Sequence, residues 1–305
     1  VQAFYIAREL RRRGVEMYFV KAKHPDLLKH LSEINGHDCD HALALGLRWF
    51  THQPAGCATI LKTKVKGGVT QLHDGVVHDY LAPWMTNVDC TFMFRDDRER
   101  IRDWIRYCDR YHYIGWAADH DYLYPEQRSD ELRILLDHPY YKSGQPDITE
   151  AVTKDATMFA HGGEWRHKYK SVRVRRLING GAEDVTIRDE PLKMFDRVHV
   201  PFPDICNEYR KTHVYMVTHK ESVGLTCLEL AMCGALVVAP KGMIYQDRLD
   251  TVRHVLYEGV RAPWTQVLDD INIMASAELA RAQTWSRVVD RMLAWFGEYR
   301  RYRKV

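Results

Sequence analysis

No two cysteines stand at the C-x2-C spacing, and the seven present (Cys39, Cys57, Cys90, Cys108, Cys206, Cys227, Cys233) are odd in number. This excludes a zinc knuckle of that spacing and argues against a disulfide framework, so a reducing, cytoplasmic setting is expected. A large charge imbalance is also lacking: 44 Lys and Arg against 41 Asp and Glu leave +3. A uniformly basic surface is thereby excluded, and any polyanion binding has to be local. Long apolar runs are missing too. The longest, residues 225–240, is interrupted by Glu229 and falls short of the roughly 20 residues that cross a bilayer, so no integral membrane segment is expected. With 18 Gly and 11 Pro in 305 residues the chain is neither collagen-like nor of low complexity, and 46% hydrophobic residues suffice for packed cores. No signal-peptide pattern opens it. At about 150 residues per domain, two compact domains are expected.

What is present is an alternation of strand and helix patterns. Val1, Phe4, Ala7 and Leu10 recur at helical spacing, Gly14 caps the turn, and "VEMYFV" reads as a strand. Further strands are expected at Ala42–Leu45, at "VTQL" running into His73, and at "CTFMF". Helices are expected over residues 55–64 and along Ile101, Trp104, Ile105 and Cys108, before a break at Pro125. The rhythm then restarts with "LRILLDH" as strand, Ile148–Phe159 as helix, "VRVRRLINGG" as strand and turn, and "DRVHVPF" as strand. A helix over Asp204–Arg210, the strand "HVYMVT", the helix "GLTCLELAMCG" and the buried strand "ALVVAP" follow, a pattern suited to a parallel sheet covered on both faces. A last helix carries Trp285, Val288, Val289, Met292, Phe296 and Tyr299. The expected fold class is α/β, with two doubly wound, Rossmann-like lobes facing a cleft and a C-terminal helix. The expected divisions are residues 1–125, 126–280 and 281–305.

The stretch from Thr218 to Gly242 carries the most chemistry. Glu221 follows a strand, Gly224-Leu225-Thr226 opens a helix, and Glu229 lies about one turn inside it. Free N–H groups and the positive dipole end of that helix suit a phosphate, while the two carboxylates suit sugar hydroxyls, so the pattern can bind a nucleotide diphosphate. The plainer reading makes Glu221 a dipole complement and Glu229 a solvated helix residue.

This stretch resembles the E-x7-E signature of retaining GT-B glycosyltransferases, especially family 4, with Glu221 and Glu229 as the pair. "VQAFYIARELRRRGVEMYFV" resembles that family's first helix and second strand, normally preceded by a strand and a Gly-rich turn, so a first strand is expected ahead of Val1. "VTQLHDG" resembles its N-lobe strand ending in a histidine, here His73. "YIGWAADHDYLYP" resembles its interlobe loop, and "AQTWSRVVDRML" the C-terminal helix that crosses back to the first lobe. There are departures. Ser222-Val223 replaces the family's Gly-Phe, and in "LLDHPYYKSG" His138 stands where an Arg is usual, with Lys142 at the Lys position.

The resemblance implies a transferase that moves a hexosyl group from a nucleotide sugar, such as a UDP- or GDP-sugar, to an acceptor hydroxyl with retention of configuration. No cofactor and no metal are expected. His73, Lys142 and Glu221 would be catalytic, and His138, Ser222, Val223, Gly224, Leu225, Thr226 and Glu229 donor-binding. Residues 1–125 would bind the acceptor and 126–280 the donor. The acceptor class stays open among a glycan, a lipid-linked glycan and a modified nucleic-acid base. Simpler alternatives are a strand-end histidine for His73 and a solvated loop lysine for Lys142.

Other features are weaker. His78-Asp79 reads as an acceptor-side or structural element, Gly180-Gly181 as a turn, and "HVPFP" at 199–203 as a base-facing loop or a plain strand exit. Two D-x-D strings, Asp38-Cys39-Asp40 and Asp119-His120-Asp121, match a metal-chelating pattern of GT-A transferases but read better as structural. The run Arg166, Lys168, Lys170, Arg173, Arg175, Arg176 could touch an anionic surface, making the protein peripheral at a membrane, but reads better as a solvated face protecting an edge strand. The alternative function is a catalytically weakened GT-B scaffold that binds a nucleotide or a polyanion.

Overall fold

The structure is a computed structural model that describes residues 2–17, 40–45, 68–73, 89–94, 111–136, 146–178, 181–184, 202–219, 224–244 and 246–302. It divides into two units: Val1–Trp116 together with Trp285–Val305, and Ala117–Thr284. The first division falls ahead of the Pro125 break.

Unit 1 begins with α1 (Gln2–Arg12), followed by β1 (His41–Leu45), β2 (Gly68–His73), β3 (Cys90–Met93) and β4 (Tyr111–Tyr113). The strands lie in chain order β1-β2-β3-β4 and are parallel throughout. Every residue of β3 is buried, as a parallel sheet covered on both faces requires. The closing helix of the chain, Trp285–Tyr302, also belongs to this unit. Its buried stripe of Trp285, Val288, Val289, Met292 and Trp295 has helical spacing. Tyr5 of α1 stacks on Trp285 with ring centroids 5.2 Å apart, and Phe92 meets Trp295 edge to face at 5.5 Å. Arg13 adds an ion pair to Asp290 at 2.7 Å and a hydrogen bond to the Ser286 carbonyl. Val15, Glu16 and Met17 form no strand, and the rest of that expected strand lies outside the described residues, as do both helices expected before residue 110.

Unit 2 runs β5 (Glu131–Leu136), α2 (Pro146–Gly162), a 3-10 turn (Glu164–His167), β6 (Ser171–Ile178), β7 (Gly181–Asp184), α3 (Phe202–Lys211) and β8 (Val214–Met216). It continues with α4 (Leu225–Met232), β9 (Leu236–Pro240), α5 (Gln246–Leu249), β10 (His254–Tyr257), α6 (Trp264–Asp270) and α7 (Ile273–Ala280). The Trp285–Tyr302 helix is therefore α8. The sheet order is β10-β9-β8-β5-β6-β7, with β6 and β7 antiparallel and the other pairs parallel. From β5 the chain adds strands on one side, and from β8 it adds them on the other. The switch point of the sheet therefore lies between β5 and β8, and α2 and α4 start beside it.

The core of unit 2 joins Leu132, Ile134, Val214, Met216 and Val238 of the sheet to Val152, Ala156 and Phe159 of α2. Phe159 stacks on Trp264 of α6 at 4.0 Å and 8°. The expectation that the basic strand protects an edge is corrected: β6 lies inside the sheet because β7 pairs along its outer side. The strand expected at "DRVHVPF" lies outside the described residues up to Pro201, and Phe202 opens α3. Among the described residues, no helix is long and apolar enough to cross a membrane.

Candidate functional site

At the switch point the second turn of α2 is tied to the end of β8. The buried Thr149 hydroxyl donates to the Thr218 carbonyl at 2.9 Å. α4 begins close by in sequence, and its N-cap Gly224 takes a left-handed conformation (φ 70°, ψ 29°) that costs a residue with a Cβ about 1–2 kcal/mol. Among the described residues no side chain caps this helix, and no acid occupies its first turn. The first turn of a helix presents N–H groups and the positive end of the dipole, the electrostatics of an anion site.

The other end of α4 is as tightly fixed. Gly234 (φ 95°) turns the chain, with its N–H on the Ala231 carbonyl and the Ala235 N–H on the Leu230 carbonyl. A Cβ on Gly234 would come within 2.5 Å of Ile273 Cγ2 and 2.7 Å of the Ile273 carbonyl oxygen. Cys227, Leu228, Leu230, Ala231 and Met232 are buried, leaving Leu225, Thr226 and Glu229 on the half-open face. Residues three apart share a helix face, so Glu229 lies on the face of Thr226, one turn from the start of the helix. Burial pushes its carboxyl up to about 7. The Cys206 thiol of α3 is pushed up to about 12, first by its own burial and then by the charge of Glu229, which marks the two as neighbours.

The structure thus brings Gly224, Leu225, Thr226 and Glu229 together on one helix. His73 is the last residue of β2 in unit 1. His138, Lys142, Glu221, Ser222 and Val223 lie outside the described residues, as do Asp38, His78, Asp79 and Gly180. Thr149 and Thr218 were missed in the sequence. Their only signal is a threonine early in a helix and another at a strand end, and the contact joins positions 69 apart.

Among the described residues, Asp119, His120 and Asp121 are the group whose ligand atoms come within 4.8 Å of one another. Asp119 is buried, its Oδ1 accepts the Asp121 N–H at 3.2 Å, and its carbonyl accepts from Tyr122 and Leu123. These bonds account for the string as a turn. The basic run is engaged within the fold. Lys168 pairs with Asp269, Lys170 with Asp130 at 2.6 Å, Arg173 with Glu131 at 3.2 Å and Arg175 with Glu208. Arg166 lies over the Trp165 ring, and Arg176 is buried.

No protein-family model and no curated protein matches the sequence. Solved structures match across nearly all of it. Sucrose-phosphate synthase from Thermosynechococcus elongatus superimposes with a TM-score of 0.55 at 12% identity, covering 92% of this chain and 80% of the other. A glycosyltransferase involved in avilamycin A biosynthesis gives 0.55 at 12% identity, covering 98% and 88%. The UDP-forming α,α-trehalose-phosphate synthase from Burkholderia xenovorans, in complex with glucose-6-phosphate, gives 0.54 at 10% identity, covering 97% and 84%. All three are GT-B glycosyltransferases. The fold is GT-B. In GT-B terms, the four-stranded and six-stranded sheets are the two Rossmann-like lobes, and α8 returns to the first of them.

Proposed function

We propose that this GT-B protein is a glycosyltransferase that uses a nucleotide-sugar donor, with the donor held by unit 2 and the acceptor by unit 1. The observation that carries the reading is α4: a helix opened by a left-handed Gly224, with no side-chain cap among the described residues and Glu229 one turn inside it, in a GT-B lobe. In this reading the N–H groups of the first turn of α4 hold diphosphate oxygens and Glu229 accepts hydrogen bonds from the ribose. Glu221 contacts donor-sugar hydroxyls, Ser222 and Val223 lead the chain into the phosphate turn, and His138 and Lys142 face the diphosphate. Lys142 stabilises the charge that grows on the leaving group. His73 lines the reacting centre from the other unit.

Transfer proceeds with retention by front-face substitution. The bond from the anomeric carbon to the departing phosphate oxygen breaks as the acceptor oxygen bonds from the same face, and that phosphate takes the acceptor proton. The protein supplies orientation and electrostatic stabilisation. The acceptor is a glycan, a lipid-linked glycan or a modified base. The polyanion-binding alternative is disfavoured by the ion pairs that engage the basic run.

The deciding experiment screens UDP- and GDP-sugars for binding and for slow hydrolysis. One donor that binds and is hydrolysed supports the transferase. Binding without hydrolysis points to the weakened scaffold, and no binding by any nucleotide sugar overturns the assignment.

A further inference from the structure

Unit 2 carries a concavity beside the start of α2. It is an open pocket of about 400 Å³ at the carboxyl ends of β9 and β10. The first two turns of α2 form one wall, and the segments leaving β9 and β10 form the other. Ile148, Ala151, Val152, Met243 and Tyr257 make its surface largely apolar. Such a volume, at the strand ends where ligands of doubly wound sheets bind, fits a small organic molecule.

The rim decides which kind. Asp147, Lys241 and Glu258 surround the pocket. Lys241 and Glu258 pair with each other at 2.7 Å and largely cancel. Among the described residues, no hydrogen bond or ion pair engages Asp147, which is exposed in the first turn of α2. The α2 dipole offsets only about half of that charge. Among the described residues, then, the apolar cavity is rimmed by a carboxylate that has no ionic partner. An anion is repelled there, a neutral molecule leaves Asp147 without a partner, and a cation with an apolar body satisfies both features.

We propose that this pocket binds a small organic amine, with its ammonium at Asp147 and a body about the size of one ring against Ile148, Val152 and Met243. The site does not depend on the glycosyltransferase reading, because none of its groups is assigned to the nucleotide sugar.

The test titrates cyclohexylammonium chloride, cyclohexanol and cyclohexanecarboxylate, which share one ring, into the whole chain while following the methyl NMR signals of Ile148 and Met243. Saturable shifts are expected, tightest for the amine and weakest for the carboxylate. In Asp147→Asn, a surface change that keeps the shape, the amine should weaken about fivefold, to the level of the alcohol, as one exposed ion pair allows. Ala151→Leu fills the cavity and should remove saturation for all three. The proposal is overturned if the wild type gives no saturable shift, if the carboxylate binds as tightly as the amine, or if Asp147→Asn leaves the amine unchanged.

Discussion

Glu229 has to serve two states. In the free protein, burial lifts its carboxyl to about 7, so close to neutrality the group is divided between acid and carboxylate. The folded pKa lies above the ordinary 4.5, so its stabilising contribution is present below pH 4.5 and is lost as pH rises through 7. Ligand binding has the opposite preference, because ribose hydroxyls are held better by the ionised form. Nucleoside-diphosphate affinity should therefore fall by about tenfold from pH 8 to pH 6. Calorimetry in buffers of different ionisation enthalpy should detect proton release on binding. Glu229→Gln should bind about 1–3 kcal/mol more weakly at pH 8 and lose the pH dependence. An unchanged affinity at pH 8 in the folded variant removes Glu229 from the nucleotide site.

At the scale of elements, two helices of unit 2, α3 and α4, are held at their C-terminal ends by one side chain. Arg128 donates from Nε to the Arg210 carbonyl, 3.1 Å away at the end of α3, and from Nη2 to the Cys233 carbonyl at the C-cap of α4. It satisfies acceptors that a helix end leaves open and sets a cation against two negative dipole ends. Burial still lowers the guanidinium to about 10, which leaves it charged at neutral pH. Arg128→Met should cost about 2–4 kcal/mol in denaturant unfolding, since two part-buried carbonyls lose a charged donor.

His213, just ahead of β8, accepts the Arg133 N–H on Nδ1 at 3.2 Å, and burial first, then Arg128 and Arg133, hold it down to about 3. An unfolded histidine takes its proton near 6.5, so between 6.5 and 3 the unfolded chain carries the extra proton and stability falls as pH is lowered. Thermal melts from pH 7 to pH 4 should show wild type losing stability relative to His213→Asn, with the gap widening below 6.5. A constant gap would show that His213 is already protonated in the fold.

The same scale explains what the sequence disclosed. Strands buried on both faces announce themselves as apolar runs, as in "LRILL" and "LVVAP", and α4 was legible because its flanking glycines and apolar composition are local. β4 and β10, with three and four residues, lack the longer apolar run that revealed the equally short β3 and β8. α6 and α7 are seven and eight residues long, and their place was passed over entirely. Of the site, the helix N-terminus and Glu229 could be read directly. The Thr149–Thr218 tie could not, because only the folded sheet brings those two positions together.

For the whole molecule, two expectations follow. The proposed diphosphate site uses helix N–H groups and Lys142 in place of a cation, so sugar transfer should persist in EDTA from pH 6 to pH 8. Complete loss, restored by manganese or magnesium, would falsify the metal-free site and return attention to Asp119 and Asp121. The second concerns the units. The core of unit 2 is formed within Ala117–Thr284, where the Ala118 N–H donates to the Gln283 carbonyl at 3.2 Å and Ala118 bridges Thr284. That fragment should fold by itself, giving one cooperative unfolding transition. Removing Trp285–Val305 should instead destabilise unit 1 by more than about 5 kcal/mol, because several large buried side chains leave its core at once.

The contact of α1 with α8 also sets an order of events during synthesis. A ribosome adding about 5–20 residues per second delivers the whole of unit 2 before α8 exists. The later unit in sequence is thus the first able to finish, while the sheet of unit 1 waits with Phe92 and Phe94 uncovered until Trp285 and Trp295 arrive. During that interval nascent unit 1 is expected to expose aromatic surface, and the docking of α8 ends the exposure.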